Sequence, residues 1–256
     1  MKIFKSYAEY YDLLYNDKDY QQETDYLVSL IDKYQPRAKS ILEMGCGTGM
    51  HAELIAKRGF KVRGIDQSVE MITKAKKRSI SPNLFSEHQL DFSVGDIRSY
   101  QSKKRYDVVL SLFHVMSYQV TDDDLLAALS TAKQHLVPNG ILIFDCWYGP
   151  AVLADRPSIR NKTYEDSALR VDRKSIPKLM REKNQVEVCF QISVTDKSTG
   201  KKEQFNEFHN MRYLFTPEIK QFIEKKNMAL LHTEEWLTGN VPNEHSWYVT
   251  YIIKRS

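Results

Sequence analysis

A short apolar strand runs straight into a glycine loop at Lys39-Ser40-Ile41-Leu42-Glu43-Met44-Gly45-Cys46-Gly47-Thr48-Gly49, and helical spacing resumes through Leu54, Ile55 and Ala56. A strand, a glycine turn and a helix in that order let backbone approach a ligand closely, because glycine has no side chain to collide. Two nucleotide fingerprints fail on spacing. The dinucleotide pattern would need glycine where Met50 stands, and the P-loop would need a Gly-Lys-Ser/Thr that is absent. What remains is Gly45-x-Gly47-x-Gly49, with Glu43 before it and Asp66 closing the next strand. About 20 residues on is where a carboxylate reaches ribose hydroxyls in nucleotide-binding α/β folds. A loop without phosphate-binding features, paired with such an acid, favours a nucleoside without phosphate. S-adenosylmethionine fits that description.

The segments around the loop alternate helix and strand with short connections. Asp17 or Asp19 can cap a helix carrying Tyr26, Leu27, Leu30, Ile31 and Tyr34, which Pro36 ends. Phe60 to Asp66 is a second strand, and Ser68 can cap the helix of Val69, Met71, Ile72 and Ala75. A third strand is expected near Phe92-Ser93-Val94-Gly95-Asp96, and a fourth, apolar enough to be covered on both faces, at Tyr106 to Phe113. Thr121, followed by three aspartates, starts a helix that Pro138-Asn139-Gly140 breaks, and Ile141 to Trp147 is the fifth strand. This rhythm predicts a Rossmann-like, doubly wound, mainly parallel sheet, seven-stranded once two closing strands near Ala229–Trp236 and Trp247–Lys254 are counted.

After strand five the helical period is lost. Arg170–Arg173, Val186–Val194 and Lys202–Leu214 look β-like, and Thr195 to Gly200 is a turn. The expectation is an inserted antiparallel β-layer over about residues 151–214, a lid on a main domain made of 1–150 and 215–256. Thr216-Pro217-Glu218 then opens a helix with a cap and a proline in its first turn.

Charge and composition exclude little but help. The net charge of +4 is mild, and the basic runs at Lys74–Arg78 and Lys103–Arg105 read as a solvated helix face and a turn, so nucleic acid is not the expected partner. No apolar run reaches the length of about 18 residues that a membrane span needs. The polar start at Met1 to Tyr7 argues against an export signal. Three cysteines, Cys46, Cys146 and Cys189, suit neither a disulfide framework nor a zinc site, so a cytoplasmic setting and no metal are expected. A homodimer is left open.

Taken together, Leu42 to Gly49, Gly64-Ile65-Asp66-Gln67-Ser68 and Gly95-Asp96-Ile97 resemble the successive motifs of class I S-adenosylmethionine-dependent methyltransferases. Tyr11-Asp12-Leu13-Leu14-Tyr15, Trp147-Tyr148 and His209 to Thr216 are similar to segments of the subgroup that methylates nucleotide-linked amino sugars. The resemblance implies cofactor contacts from Tyr15, Glu43, Gly45, Cys46, Gly47, Asp66, Gln67, Met71, Asp96, Ile97 and Leu112. In it Asp66 holds the ribose hydroxyls, Asp96 faces the adenine amine with Ile97 offering backbone, and Tyr15 meets the methionine carboxylate. It also implies Tyr118 at the acceptor and a substrate wall including Tyr11, Trp147, Tyr148, His209 and Arg212.

Methyl transfer from a sulfonium is an in-line displacement, so alignment and water exclusion dominate and no triad is expected. An amine acceptor needs only to be uncharged, whereas a hydroxyl gains from a positioned base, for which His114 or Tyr118 would serve. His114, Trp147 and Tyr148 read equally as site walls or as packed core closure. His209 and His245 read first as structural. Arg160, Arg170, Arg173 and Arg212 are candidates for a diphosphate. The leading expectation is methylation of a small-molecule amine, with the amino group of a nucleotide-linked sugar as the candidate acceptor. The rivals are an O-methyltransferase on a sugar or other small metabolite, and a non-catalytic cofactor-binding protein acting on RNA or a protein partner.

Overall fold

The central strands Ile41–Met44 and Val108–Leu110 are buried on both faces because helices cover each side of the sheet to which they belong. The computed structural model describes residues 7–79, 85–86 and 88–256. Met1 to Ser6, on which the reading of the N-terminus mostly rests, lie outside them.

In chain order come α1 (Tyr7–Leu14), α2 (Tyr20–Tyr34), β1 (Ser40–Met44), α3 (Met50–Lys57), β2 (Lys61–Asp66), α4 (Val69–Ser79), β3 (Leu90–Val94) and β4 (Tyr106–Ser111). A 3₁₀ turn (Val115–Tyr118), α5 (Asp122–His135), β5 (Leu136–Trp147) and α6 (Gly149–Ala154) follow. Next are β6 (Arg160–Glu165), β7 (Leu169–Met180), β8 (Gln185–Asp196), β9 (Lys202–Arg212), α7 (Thr216–Lys225), β10 (Met228–Glu235) and β11 (Tyr248–Arg255). The seven-stranded sheet has the order β10-β11-β5-β4-β1-β2-β3, with β11 antiparallel to both its neighbours and the rest parallel. The antiparallel sheet β6-β7-β8-β9 is inserted after β5.

Side-chain alternation sorts the two cores. Leu42, Met44, Leu142 and Phe144 face α5 and α7, while Ile41, Ile141 and Ile143 face α2 and α3. Local caps hold as read: Asp19 accepts from the backbone N of Gln22, Thr121 from that of Asp124, and Ser68 Oγ from that of Met71. Asp107 ties β1 to β4, its Oδ2 accepting from the backbone N of Lys39 and Ser40 and from Ser40 Oγ. Although partial burial opposes it, these donors hold the Asp107 carboxyl below its ordinary range. Asp107→Ala is expected to cost about 1–3 kcal/mol, read as a lower urea midpoint at unchanged slope. An unchanged midpoint would remove Asp107 from the account of strand pairing.

Boundaries moved in several places, and β7, expected over Arg170–Arg173, runs from Leu169 to Met180. β3 starts at Leu90, so Gly95 and Asp96 fall beyond it in a loop. α5 stops at His135, because Val137 precedes a proline and is pushed out of helical backbone; Leu136 to Gly140 then run extended as the irregular start of β5. The cap residue of α7 is Phe215 rather than Thr216: Phe215 N donates to Glu218, while Thr216 Oγ1 bonds the Tyr251 hydroxyl. β6 carried no period-2 signal, since only Tyr164 of its six residues is buried.

The inserted sheet is anchored on two sides. Tyr164, Val171, Ile192 and Val194 pack on Tyr10, Leu14 and Met71, and Val186 and Val188 pack with Val152 and Tyr213. A cavity lies between these anchors, at the carboxyl ends of β1, β2 and β4, where open α/β sheets bind ligands. Among the described residues no helix is long and apolar enough to cross a membrane.

Candidate active site

The glycine loop leaves β1 through left-handed backbone. Gly45 has φ +79°, and a Cβ there would meet the Val115 side chain at 2.6 Å. Gly47 has φ +54°, but nothing lies within 4 Å of where its Cβ would be. The first glycine is demanded by packing, and the second opens on the cavity. Gly45 and Cys46 donate their backbone N–H to Ile65 O at 2.8 and 2.9 Å, which joins the loop to the end of β2.

Asp66 completes that junction. Its Oδ2 accepts from Gly47 N at 3.0 Å and its Oδ1 from Ser68 N at 2.8 Å. Burial raises its pKa, and the two amides work against the rise. Glu43 is buried more deeply, and its Oε2 has no hydrogen-bond partner. Burial, then the nearby Asp66 charge, push its carboxyl up to about 8. One oxygen of this acid is thus left unmatched within the cavity.

Behind it stands a support that sequence reading missed. His51, from α3, has Nε2 2.7 Å from Glu23 Oε2 and Nδ1 3.9 Å from Glu43. Lys18 reaches Glu23 from the other side. Burial works against the Glu23 charge, but His51 and Lys18 outweigh it and hold the carboxyl down at about 2. From α1, Asp12 accepts from Thr48 Oγ1 at 2.7 Å and from Arg78 at 3.0 Å, pinning the N-terminal helix over the loop.

The opposite wall follows β4. Phe113 and His114 both sit in left-handed backbone, at φ +59° and +63°, a strain of order 1–3 kcal/mol each for non-glycine residues, of the kind that clusters at functional sites. Asp145 holds this turn by accepting from His114 N at 3.1 Å. The His114 Nδ1 lies 2.5 Å from Asp145 Oδ2 but off the line of a good hydrogen bond, and its ring stacks on Tyr248 at 4.3 Å. Tyr118 lies 2.8 Å from His209 Nδ1 on β9, and His209 Nε2 lies 3.3 Å from Glu207. Burial, with the charges of Tyr15, Glu207 and Asp66, pushes the Tyr118 phenol far up.

Of the residues expected at the site, Tyr11, Tyr15, Glu43, Gly45, Cys46, Gly47, Asp66, Met71, Leu112, His114, Tyr118, Trp147 and His209 line this one cavity. Thr48, inside the expected loop, and Phe113, inside the stretch after β4 expected around the cofactor, line it too, as do Tyr20, Met50, His51, Val115, Val188, Phe190 and Met211, which were not singled out. Five expected residues are elsewhere. Gln67 is exposed, and Ile97 is part of the core against α5. The Asp96 carboxylate is taken by Arg98, with Nη2 at 2.6 Å, and Arg98 continues to Asp124. Tyr148 packs beneath, its backbone N donating to Trp247 O. Arg212 is corrected outright: its buried guanidinium binds Asp122 at 2.7 Å and Glu218, over the Phe222 ring, and faces away from the cavity. Among the other arginines, Arg170 pairs with Asp172, while Arg173 packs on Tyr15, Tyr164 and Phe190 at the cavity's edge.

Comparison with known proteins points the same way. Residues 41–140 match the family model described as a methyltransferase domain. The dTDP-3-amino-3,4,6-trideoxy-alpha-D-glucopyranose N,N-dimethyltransferase of Streptomyces venezuelae is 33% identical over 58% of this chain and 60% of its own length. The dTDP-3-amino-3,6-dideoxy-alpha-D-glucopyranose N,N-dimethyltransferase of Streptomyces fradiae is 31% identical over 56% of this chain and 54% of its own. The chain thus spans little more than half the length of these curated relatives. In fold, the S-adenosylmethionine-bound amino pentose methyltransferase of Micromonospora echinaspora superposes with a TM-score of 0.75 at 21% identity, covering 99% of this chain and 98% of that one. Residues 41–140 carry a methyltransferase domain, and the chain resembles class I, S-adenosylmethionine-dependent N-methyltransferases of nucleotide-linked amino sugars.

Proposed function

We propose that the protein transfers a methyl group from S-adenosylmethionine to the amino group of a small molecule, a nucleotide-linked amino sugar. The observation that carries this reading is the meeting of two unlike walls in one cavity. On one side, Asp66 lies beside the open Gly47 and Glu43 keeps an unmatched oxygen; on the other, Tyr118, Trp147, Phe190 and His209 leave a largely aromatic space. The first wall suits a ribose and a cationic amino-acid end, and the second an uncharged sugar ring. The bound cofactor supplies an electrophilic methyl on a sulfonium. The chain itself holds the nucleoside through Asp66, the charged end through Glu43 and Tyr15, and keeps water out with the inserted sheet, residues 151–214, as lid.

Arg173, on the lid beside Tyr15, is the side chain best placed for a diphosphate among the four arginines considered for that role. Three free cysteines, two of them buried, agree with a cytoplasmic site of action. The His114–Asp145 pair favours one second reading, methylation of a hydroxyl with His114 as base. Incubation with methyl-labelled S-adenosylmethionine and a dTDP-linked 3-amino sugar, beside the matching 3-hydroxy sugar, tests both. Label on the amine only is the expected result; label on the hydroxyl only would replace the substrate class.

A further inference from the structure

Methylation of an amine has a proton problem that the cofactor wall does not solve. An aliphatic amine near the α-amino range, pKa about 8, enters mostly as ammonium at neutral pH, and its nitrogen has no free electron pair. Asp66 is committed to two backbone amides, and Glu43 lies with it at the loop end of the cavity. At the other end, Tyr118, His209 and Glu207 form a chain that crosses from the 3₁₀ turn of the main sheet to β9 of the lid. Tyr118 and His209 both line the cavity, while Glu207 stands behind them, mostly buried.

Resting on the amine reading above, we infer that Tyr118, His209 and Glu207 are a proton path out of the acceptor end of the cavity. The Glu207 carboxylate sets the direction. A carboxylate only accepts, so it assigns the hydrogen to Nε2 of His209 and leaves Nδ1 to accept from the Tyr118 hydroxyl. An ammonium N–H bond breaks, its electrons stay on nitrogen as the pair that attacks the methyl, and its proton goes to the Tyr118 oxygen. The proton already on that oxygen passes to Nδ1. His209 becomes an imidazolium, paired with Glu207, and Tyr118 ends neutral as it began. A buried phenol held this far from ionising suits such a relay, since no phenolate has to form. Tyr15 from the turn after α1, Asp66 from the end of β2 and Glu207 from β9 are titratable groups facing Tyr118, and Phe190 from β8 packs edge-on against His209. Tyr118 is the catalytic residue in this assignment; His209 and Glu207 are positioning residues that act through it.

A latch holding the lid shut would use the same contacts, so the test must separate the two. For the unaltered enzyme, His209→Gln, Glu207→Gln and Tyr118→Phe, kcat/KM for a dTDP-linked 3-amino sugar is measured from pH 6 to 10, and S-adenosylhomocysteine binding is measured by calorimetry. Without the path only molecules already neutral can react, so each variant loses about tenfold per pH unit below the amine's pKa. The ratio of unaltered to variant kcat/KM therefore widens to roughly 30-fold or more at pH 6.5 and narrows to a few-fold at pH 10, with binding of S-adenosylhomocysteine kept. Ratios that stay constant across pH mean a latch and overturn the inference. No turnover of any amine by the unaltered enzyme, with cofactor binding intact, overturns instead the reading beneath it, and the inference with it.

Discussion

Asp66→Ala is expected to weaken S-adenosylmethionine binding by about 30- to 1,000-fold while leaving the protein folded. Two separate losses combine in that figure. The Asp66 carboxylate accepts from Gly47 N and Ser68 N, so its removal unties the glycine loop from the end of β2 and frees the turn that starts α4. It also deletes the acceptor beside the open face of Gly47, where ribose hydroxyls would come. Hydrogen bonds to a charged group are worth about 1.5–3 kcal/mol each, so losing one or two of them spans the stated range. Asp66→Asn should fall between, because its single amide oxygen can serve Gly47 or Ser68 but not both as well. Calorimetric titration with S-adenosylmethionine and adenosine reads the result directly. Equal affinity in all three proteins would mean that the nucleoside sits elsewhere and that the register of β2 against the loop has been misread.

Asp66 could be found in the sequence because everything that defines it is local: a strand, an acid at its end, a capping serine two residues on and a glycine loop one unit earlier. The same holds for Gly45, Gly47 and Thr121. Arg212 could not be judged that way. Its partners are Asp122, ninety residues away, and Glu218 on the next helix, and only their convergence turns a candidate phosphate ligand into a buried structural ion pair. Glu207 and His51 escaped notice for the complementary reason. An acid on an extended strand and a histidine on a helix are ordinary until folding sets the first against His209 and the second between Glu23 and Glu43. Asp96 is instructive because its partner is local: Arg98, two residues on, offers a guanidinium in reach, and that alternative was readable in Gly95-Asp96-Ile97-Arg98. The inserted sheet's first strand was illegible because its exposed residues lack alternation, and it is held by pairing with β7 rather than by its own burial.

Glu43 makes the ligand-free protein lose stability as pH rises, and Glu43→Gln should abolish the loss. The sign follows from the two values of its pKa. The folded value, about 8, lies above the ordinary 4.5, so between them the folded chain keeps a proton that the unfolded chain has released. Stability falls with pH wherever the folded state binds more protons, so the contribution is whole below about 4.5 and disappears as pH passes through about 8. At about 1.4 kcal/mol per unit the full span approaches 5 kcal/mol as an upper bound, and roughly 2–4 kcal/mol is expected once local rearrangement is allowed. Urea unfolding at intervals from pH 5 to 9 should show this slope in the unaltered protein and a flatter line in the variant, whose amide keeps the bond from Ala52 N without a charge to bury. The same group couples to ligand. A cationic amino-acid end facing the unmatched Oε2 favours the ionised carboxylate, so binding S-adenosylmethionine near pH 7 should release up to one proton. Calorimetry in buffers of different ionisation enthalpy measures that release, and 5′-methylthioadenosine, which has no ammonium, should give none. Equal proton release by both ligands would move the charged end of the cofactor away from Glu43, and a flat stability profile in the unaltered protein would mean that water reaches a carboxylate the fold encloses.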